Sequence, residues 1–275
     1  MTLNEKPAFL QKIIKKKRER LETLRPEISL EELREQAIHA RTHSVSYRLR
    51  NALQNTSRTN IIAEFKRVSP SKGAIKPNAD PANVARNYLA GGAAAISVLT
   101  EEDFFGGSLK DLKTVIASID DKIPVLCKDF IIEESQVYRA ALAGASAVLL
   151  IVAAFEEDEK LIRLRLIIEE ELKMDALVEV HTAQEMQRAI GIGAKIIGIN
   201  NRDLHTFEVS LDTSIELQKL APAEVLLISE SGLKTVSEIE FLRELGFDGF
   251  LIGETLMRAE NEREALKEMT RTGQR

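Results

Sequence analysis

The chain has 275 residues, 44% of them hydrophobic and 29% charged, with a formal net charge of −5. That length and composition support one large core, and the acidic balance argues against nucleic acid or an anionic membrane surface as a partner. The single cysteine, Cys127, excludes an internal disulfide and suits a reducing, cytoplasmic setting.

Other classes fall away as quickly. The four histidines (His39, His43, His181, His205) form no HExxH motif or Cys/His cluster, so no metal is expected and no cofactor is implied. No apolar run approaches the ~20 residues of a membrane span. The N-terminus lacks the apolar core of a signal peptide.

Residues 7–53 read as helical, with Phe9, Leu10, Ile13 and Ile14 and then Leu30, Leu33 and Ile38 as the apolar face. Pro26 interrupts, and Ser29 with Glu32 predicts a capping box for a second helix from Leu30. The basic run Lys15–Arg20 is expected to be a solvated helix face. A polar stretch, Gln54–Asn60, ends this extension.

From Ile61 the pattern repeats. Apolar strands are predicted at Ile61–Phe65, Ala94–Leu99, Pro124–Cys127, Ala147–Val152, Ala176–Val180, Ile196–Ile199, Val225–Ile228 and Phe250–Ile252, with an amphipathic segment after nearly every one. Near-continuous apolar strands alternating with helices indicate a parallel sheet buried on both faces. Asp80-Pro81, Thr182 with Glu185, and Thr235 with Glu238 mark helix starts. Gly91-Gly92, Gly144, Gly193 and Gly246 mark the returns to the sheet. Eight such units fit a (β/α)8 TIM barrel better than an open sheet, whose first turn would more often carry GxGxxG. We expect one domain over residues 1–275, with 1–55 as an N-terminal helical extension packed on the barrel.

In such a barrel the chemistry lies at the C-terminal strand ends. Here those ends carry Glu64 and Lys66, then Lys128, Glu179, Asn200 and Arg202, Glu230, and finally Gly253-Glu254. Glu64 and Lys66 alternate onto one face of an apolar strand, where charges are costly unless they are paired or reactive. Ser231-Gly232 and Gly253-Glu254 place small residues in the last two loops, the usual phosphate site of this fold. Lys66 offers a further cationic contact.

These residues form a series of motifs: EFKRVSPSKG, FFGGS, CKDF, EVH, GINNRDL, SESG and IGET. In that order, at those strand ends, the chain resembles the indole-3-glycerol-phosphate synthase family over essentially its whole length. Arg67-Val68 and Thr255 depart from the usual pattern, neither at a presumed catalytic position. The resemblance implies a phosphorylated small-molecule substrate, 1-(o-carboxyphenylamino)-1-deoxyribulose 5-phosphate, closed to indole-3-glycerol phosphate with loss of carbon dioxide and water. It matches Glu64, Lys66, Lys128, Glu179, Asn200 and Glu230 to functional positions.

The chemistry needs a proton donor to the ketone oxygen. Lys128 is expected to supply it, with its pKa lowered by neighbouring cations and partial burial. Lys66, Glu64 and Glu179 are candidates for the dehydration, without a division of roles among them. Ser69, Asn200 and Arg202 are expected to hold polar groups of the substrate, and Phe105, Phe130 and Leu204 to wall its aromatic ring. No nucleic-acid or membrane partner is expected, and the chain is expected to be a monomer or weak homodimer. The competing readings are another phosphate-binding barrel such as phosphoribosylanthranilate isomerase, whose family uses a Cys and an Asp, and a non-catalytic sugar-phosphate-binding barrel.

Overall fold

Eight parallel strands close on themselves: β1 (Ile61–Phe65), β2 (Ala95–Leu99), β3 (Val125–Lys128), β4 (Ala147–Ile151), β5 (Asp175–Val180), β6 (Ile196–Asn200), β7 (Leu226–Glu230) and β8 (Gly249–Ile252). The ring closes where Ile61, Ile62 and Ala63 pair with Phe250, Leu251 and Ile252. The structure is a computed structural model describing residues 7–23 and 28–271; the expected break at Pro26 lies outside the described residues. All eight expected strands are present. Their edges shift by a residue or two, because β3, β6 and β7 continue their ladders into Lys128, Asn200 and Glu230.

The strands are apolar almost throughout because both faces are covered, by core inside and by helices outside. Helix starts follow the expected chemistry. Ser29 and Thr235 form full capping boxes on α2 (Leu30–Arg41) and α10 (Val236–Glu244). Asp80 caps α4 (Pro81–Ala90), which has Pro81 at its first position. Thr182 caps α8 (Ala183–Gly191), but the expected reciprocal bond is rerouted: the Glu185 carboxylate accepts the N–H of His181 instead. Gly92, Gly144, Gly193 and Gly246 all take positive φ, where a Cβ is penalised.

The N-terminal extension divides its packing among three parts of the barrel. Helix α1 (Ala8–Thr23) crosses the mouth and buries Leu10, Ile13 and Ile14, each worth about 1.5–3 kcal/mol when fully removed from water. Helix α2 lies along α6 (Glu134–Leu142). Helix α3 (Arg48–Leu53) plugs the opposite end, with Leu49 and Leu53 buried and the Leu49 and Arg50 N–H groups donating to Asp175 at the start of β5. Leu30, expected on the apolar face, is instead 48% exposed. The basic run is solvated as expected at Lys15, Lys16, Arg18 and Glu19, but not at Lys17 and Arg20. Lys17 is buried and pairs with Asp129 at 2.8 Å and Glu102 at 3.0 Å, while Arg20 binds Asp103. No helix among the described residues is long and apolar enough to cross a membrane.

Candidate active site

The C-terminal strand ends surround a cavity of about 780 Å³. At its base stands Lys128, the last residue of β3. Its ammonium lies 2.7 Å from Glu230, 3.6 Å from Glu64 and 3.7 Å from Glu179. These carboxylates come from β1, β5 and β7, so the barrel's closure converges on one nitrogen what the chain keeps far apart. Lys66 pairs with Glu64 at 2.6 Å.

This environment corrects the expected pKa of Lys128. Burial does disfavour its charge. The carboxylates of Glu230, Glu64 and Glu179 outweigh that and hold the amine well above its ordinary value. Lys128 is therefore a charged donor at neutral pH, not a neutralised amine. Its carboxylate neighbours differ among themselves. Burial, with the like charges of Glu179 and Glu64, raises Glu230 to about 7 even against Lys128. Glu179 is buried too, yet His181, Lys128 and Asn200 hold it below the usual range. Burial opposes ionisation of Glu64, which Lys66 and Lys128 overcome.

Glu64, Lys66, Lys128, Glu179 and Asn200 all line the cavity. Glu230 does not. It is fully buried behind Lys128, its Oε2 engaged by the ammonium and its Oε1 without a partner. Gly198 gives it room, because a Cβ there would run into Glu230 Oε1. Gly253 does the same for Glu64 Oε1.

The apolar wall assembles as expected from Phe105, Phe130 and Leu204, with the two rings 6.1 Å apart at 35°. Sequence reasoning missed that α1 supplies more of it. Phe9, Leu10 and Ile13 line the same cavity, and Phe9 packs edge-on against Phe104 and Phe207. The amphipathic spacing of α1 signalled burial without saying against what. Lys17, which ties α1 to the residue after Lys128, had no local signal.

Polar positions follow. Ser69 Oγ is buried, lines the cavity and has no protein partner. Asn200 Oδ1 accepts the N–H of Arg202, whose guanidinium donates to the Phe207 carbonyl and lines the cavity. Ser231, Gly232, Gly253 and Glu254 gather along one rim. The Glu254 carboxylate turns to Arg258 at 3.1 Å, which leaves its backbone as the part suited to an anion. A Cβ on Gly232 would strike Val209, and its φ of +85° penalises any side chain, so a bulky replacement there strains the loop before it reaches a ligand.

Both departures from the usual motif have structural partners. Arg67 makes a two-pronged pair with Asp111, and Thr255 Oγ1 donates to Leu233 O, joining the last two loops. Glu101, Glu102 and Asp103 approach one another closely, but Lys17, Arg20 and the amides of residues 103–105 engage them.

A family model described as indole-3-glycerol phosphate synthase matches residues 10–269. An indole-3-glycerol phosphate synthase of Carboxydothermus hydrogenoformans is 42% identical over 263 residues, covering 94% of this chain and 98% of its own. One of Exiguobacterium sibiricum is 52% identical over 208 residues, covering 73% and 76%. Among solved structures, a thiamine phosphate pyrophosphorylase from Pyrococcus furiosus superposes with a TM-score of 0.58 at 19% identity. It covers 80% of this chain and 95% of its own, a likeness of fold alone.

Proposed function

Because the chain belongs to the indole-3-glycerol phosphate synthase family, its activity is the closure of 1-(o-carboxyphenylamino)-1-deoxyribulose 5-phosphate to indole-3-glycerol phosphate, and we propose that the charged cluster at the barrel mouth carries it out. The observation that bears most weight is the Lys128 ammonium held among three carboxylates. An aniline ring carbon attacks the ketone, and Lys128 donates a proton to the oxygen as charge develops there. Carbon dioxide leaves, and its bonding pair restores the aromatic ring. The new hydroxyl then departs as water with a proton from Lys66. Glu179 takes the proton from the carbon beside the nitrogen. With an ionised substrate carboxylate the sequence consumes one proton overall, which suits a Lys128 held charged at neutral pH.

Glu179 takes the base role on three grounds: it lines the cavity, stays ionised and does not contact Lys66, the acid of that step. Glu64 orients Lys66, at 2.6 Å. Glu230 does not reach the cavity and acts as a positioning residue for Lys128. The aromatic ring lies against Phe105, Phe130 and Leu204, under α1. Ser69, Asn200 and Arg202 hold polar groups, and the rim of Ser231, Gly232, Gly253 and Glu254 holds the phosphate through backbone N–H groups. One folding unit over residues 1–275, with residues 1–55 packed on it, a monomeric or weakly dimeric state and a cytoplasmic location complete the proposal.

The test is direct. Purified protein given the substrate should generate the ultraviolet fluorescence of an indole. A sugar-phosphate-binding barrel without chemistry would bind and give no indole signal, and that result would sink the reading.

A further inference from the structure

His181 directly follows β5, two residues after Glu179, and has no part in the reaction just described. The two are i and i+2, and the His181 ring comes to the same side as the Glu179 carboxylate. His181 is 9% exposed and its ring stands between two carboxylates. Nδ1 hydrogen-bonds Glu185 Oε2 at 3.2 Å, whereas Nε2 faces Glu179 Oε1 at 3.4 Å as an ion pair without hydrogen-bond alignment. That same Glu185 oxygen accepts the backbone N–H of His181 at 2.8 Å. Glu185 is itself fixed, since its N–H donates to the Thr182 cap of α8. The ring is thus held from the side away from the cavity.

Its position separates two spaces. Glu179 lines the inner cavity, whereas His181 and Glu185 line an open outer groove of about 1230 Å³. The charged groups around the ring are Glu179 on β5 and Glu185 on α8, with Lys128 of β3 beyond Glu179 at 3.7 Å from its Oε2. Arg188 of α8 is engaged by Asp158 and the carbonyls of Val152 and Phe155; Arg202, after β6, donates to Phe207 O. Burial disfavours a charged ring, but the two carboxylates prevail and raise it to about 10.

We infer that His181 is a positioning residue for Glu179: clamped by Glu185, its imidazolium fixes Glu179 Oε1 and keeps that carboxylate ionised for proton removal. Each Glu179 oxygen then faces its own cation, Oε1 toward His181 and Oε2 toward Lys128. The inference rests on the proposal that Glu179 is the base.

The experiment compares His181→Gln, Glu185→Gln, Glu179→Gln and the His181→Gln/Glu179→Gln double variant, measuring kcat and KM from about pH 3, low enough to reach the limb of a carboxylate held below the usual range, up to about pH 9. His181→Gln should lower kcat by about 10- to 100-fold, with KM within about threefold because the ring does not line the inner cavity. The acidic limb of kcat should move up by about one pH unit, since Glu179 loses the charge that favours its ionised form. Glu185→Gln, away from the cavity, should move the limb in the same direction by less. In the Glu179→Gln background, His181→Gln should cost nothing further, because its effect passes through Glu179. A merely structural histidine would lower kcat at every pH and would still cost activity in that background. Either result, or an unmoved limb in both single variants, overturns the inference while leaving Glu179 in place. A Glu179→Gln enzyme with wild-type kcat overturns the role of Glu179 and the inference with it.

Discussion

Lys128→Met removes one ammonium and nearly conserves the volume of its stem, so its consequences can be worked from the geometry. The variant loses the donor to the ketone oxygen, typically worth ~10²–10⁴ in rate, or about 2.7–5.5 kcal/mol of barrier. KM should change only modestly, the signature of an interaction made mainly in the transition state. Stability should also change. Glu230, Glu64 and Glu179 would be left around an empty centre, with Lys66 still facing Glu64, His181 still facing Glu179 and no cation for Glu230. Removing one partner of a buried ion pair costs about 3–5 kcal/mol. In the wild type the folded pKa of Lys128 lies above the unfolded value of about 10.4. Its stabilisation is therefore complete below that unfolded value and lost only as pH rises through the folded one. The variant should behave differently, gaining stability as pH falls from about 8 to 5, because protonating the stranded carboxylates relieves their repulsion. The assay is steady-state indole formation alongside urea unfolding at the two pH values. Lys72→Met, in the exposed loop, is the control and should cost less than about tenfold. The double variant Lys128→Met/Glu230→Gln separates donation from charge balance: recovery of kcat would mean that Lys128 only neutralises its neighbours. A Lys128→Met enzyme with kcat within about threefold of wild type would refute the proton-donor role outright.

Three further outcomes follow from single contacts. Gly198→Ala should push Glu230 away from Lys128 and lower kcat by about 10²-fold, the scale of a 1 Å misplacement; unchanged kinetics would show that Glu230 does not position Lys128. Lys17→Met should cost about 1–3 kcal/mol of stability in denaturant unfolding by removing the cation that Asp129 and Glu102 share. It should also raise KM by loosening Phe9, Leu10 and Ile13 from the cavity, whereas equal KM values would mean that α1 does not depend on this tie. His181 is held at about 10, above its unfolded value of about 6.5. Its stabilising contribution is thus complete below about pH 6.5 and fades as pH rises toward 10, so the unfolding free energies of wild type and His181→Gln should converge across that window.

The chain itself was enough for the barrel and for the acid–base residues Glu64, Lys66, Lys128 and Glu179 that line its cavity. Parallel strands covered on both faces need apolar residues nearly throughout, so eight runs such as Ala147–Ile151 stand out without any partner being known. Capping chemistry is equally local, which is why Ser29, Asp80 and Thr235 marked helix starts correctly. Strand ends were less legible because ladder hydrogen bonds, indifferent to polarity, carry β3 into Lys128 and β7 into Glu230. The polar residues at those ends could be listed from the sequence, but their mutual distances could not. Glu64, Lys128, Glu179 and Glu230 belong to four separate strands, and only closure of the barrel decides that three carboxylates meet one ammonium. That decision reverses the sign of the expected shift at Lys128, since Coulomb interactions depend on separation in space and not along the chain. Lys17 is another instance: within a basic run it reads as a solvated side chain, and only the crossing of α1 over the mouth buries it against Asp129. Gly198 is the plainest case, because the reason for a missing side chain there is a Glu230 carboxylate that arrives from the neighbouring strand.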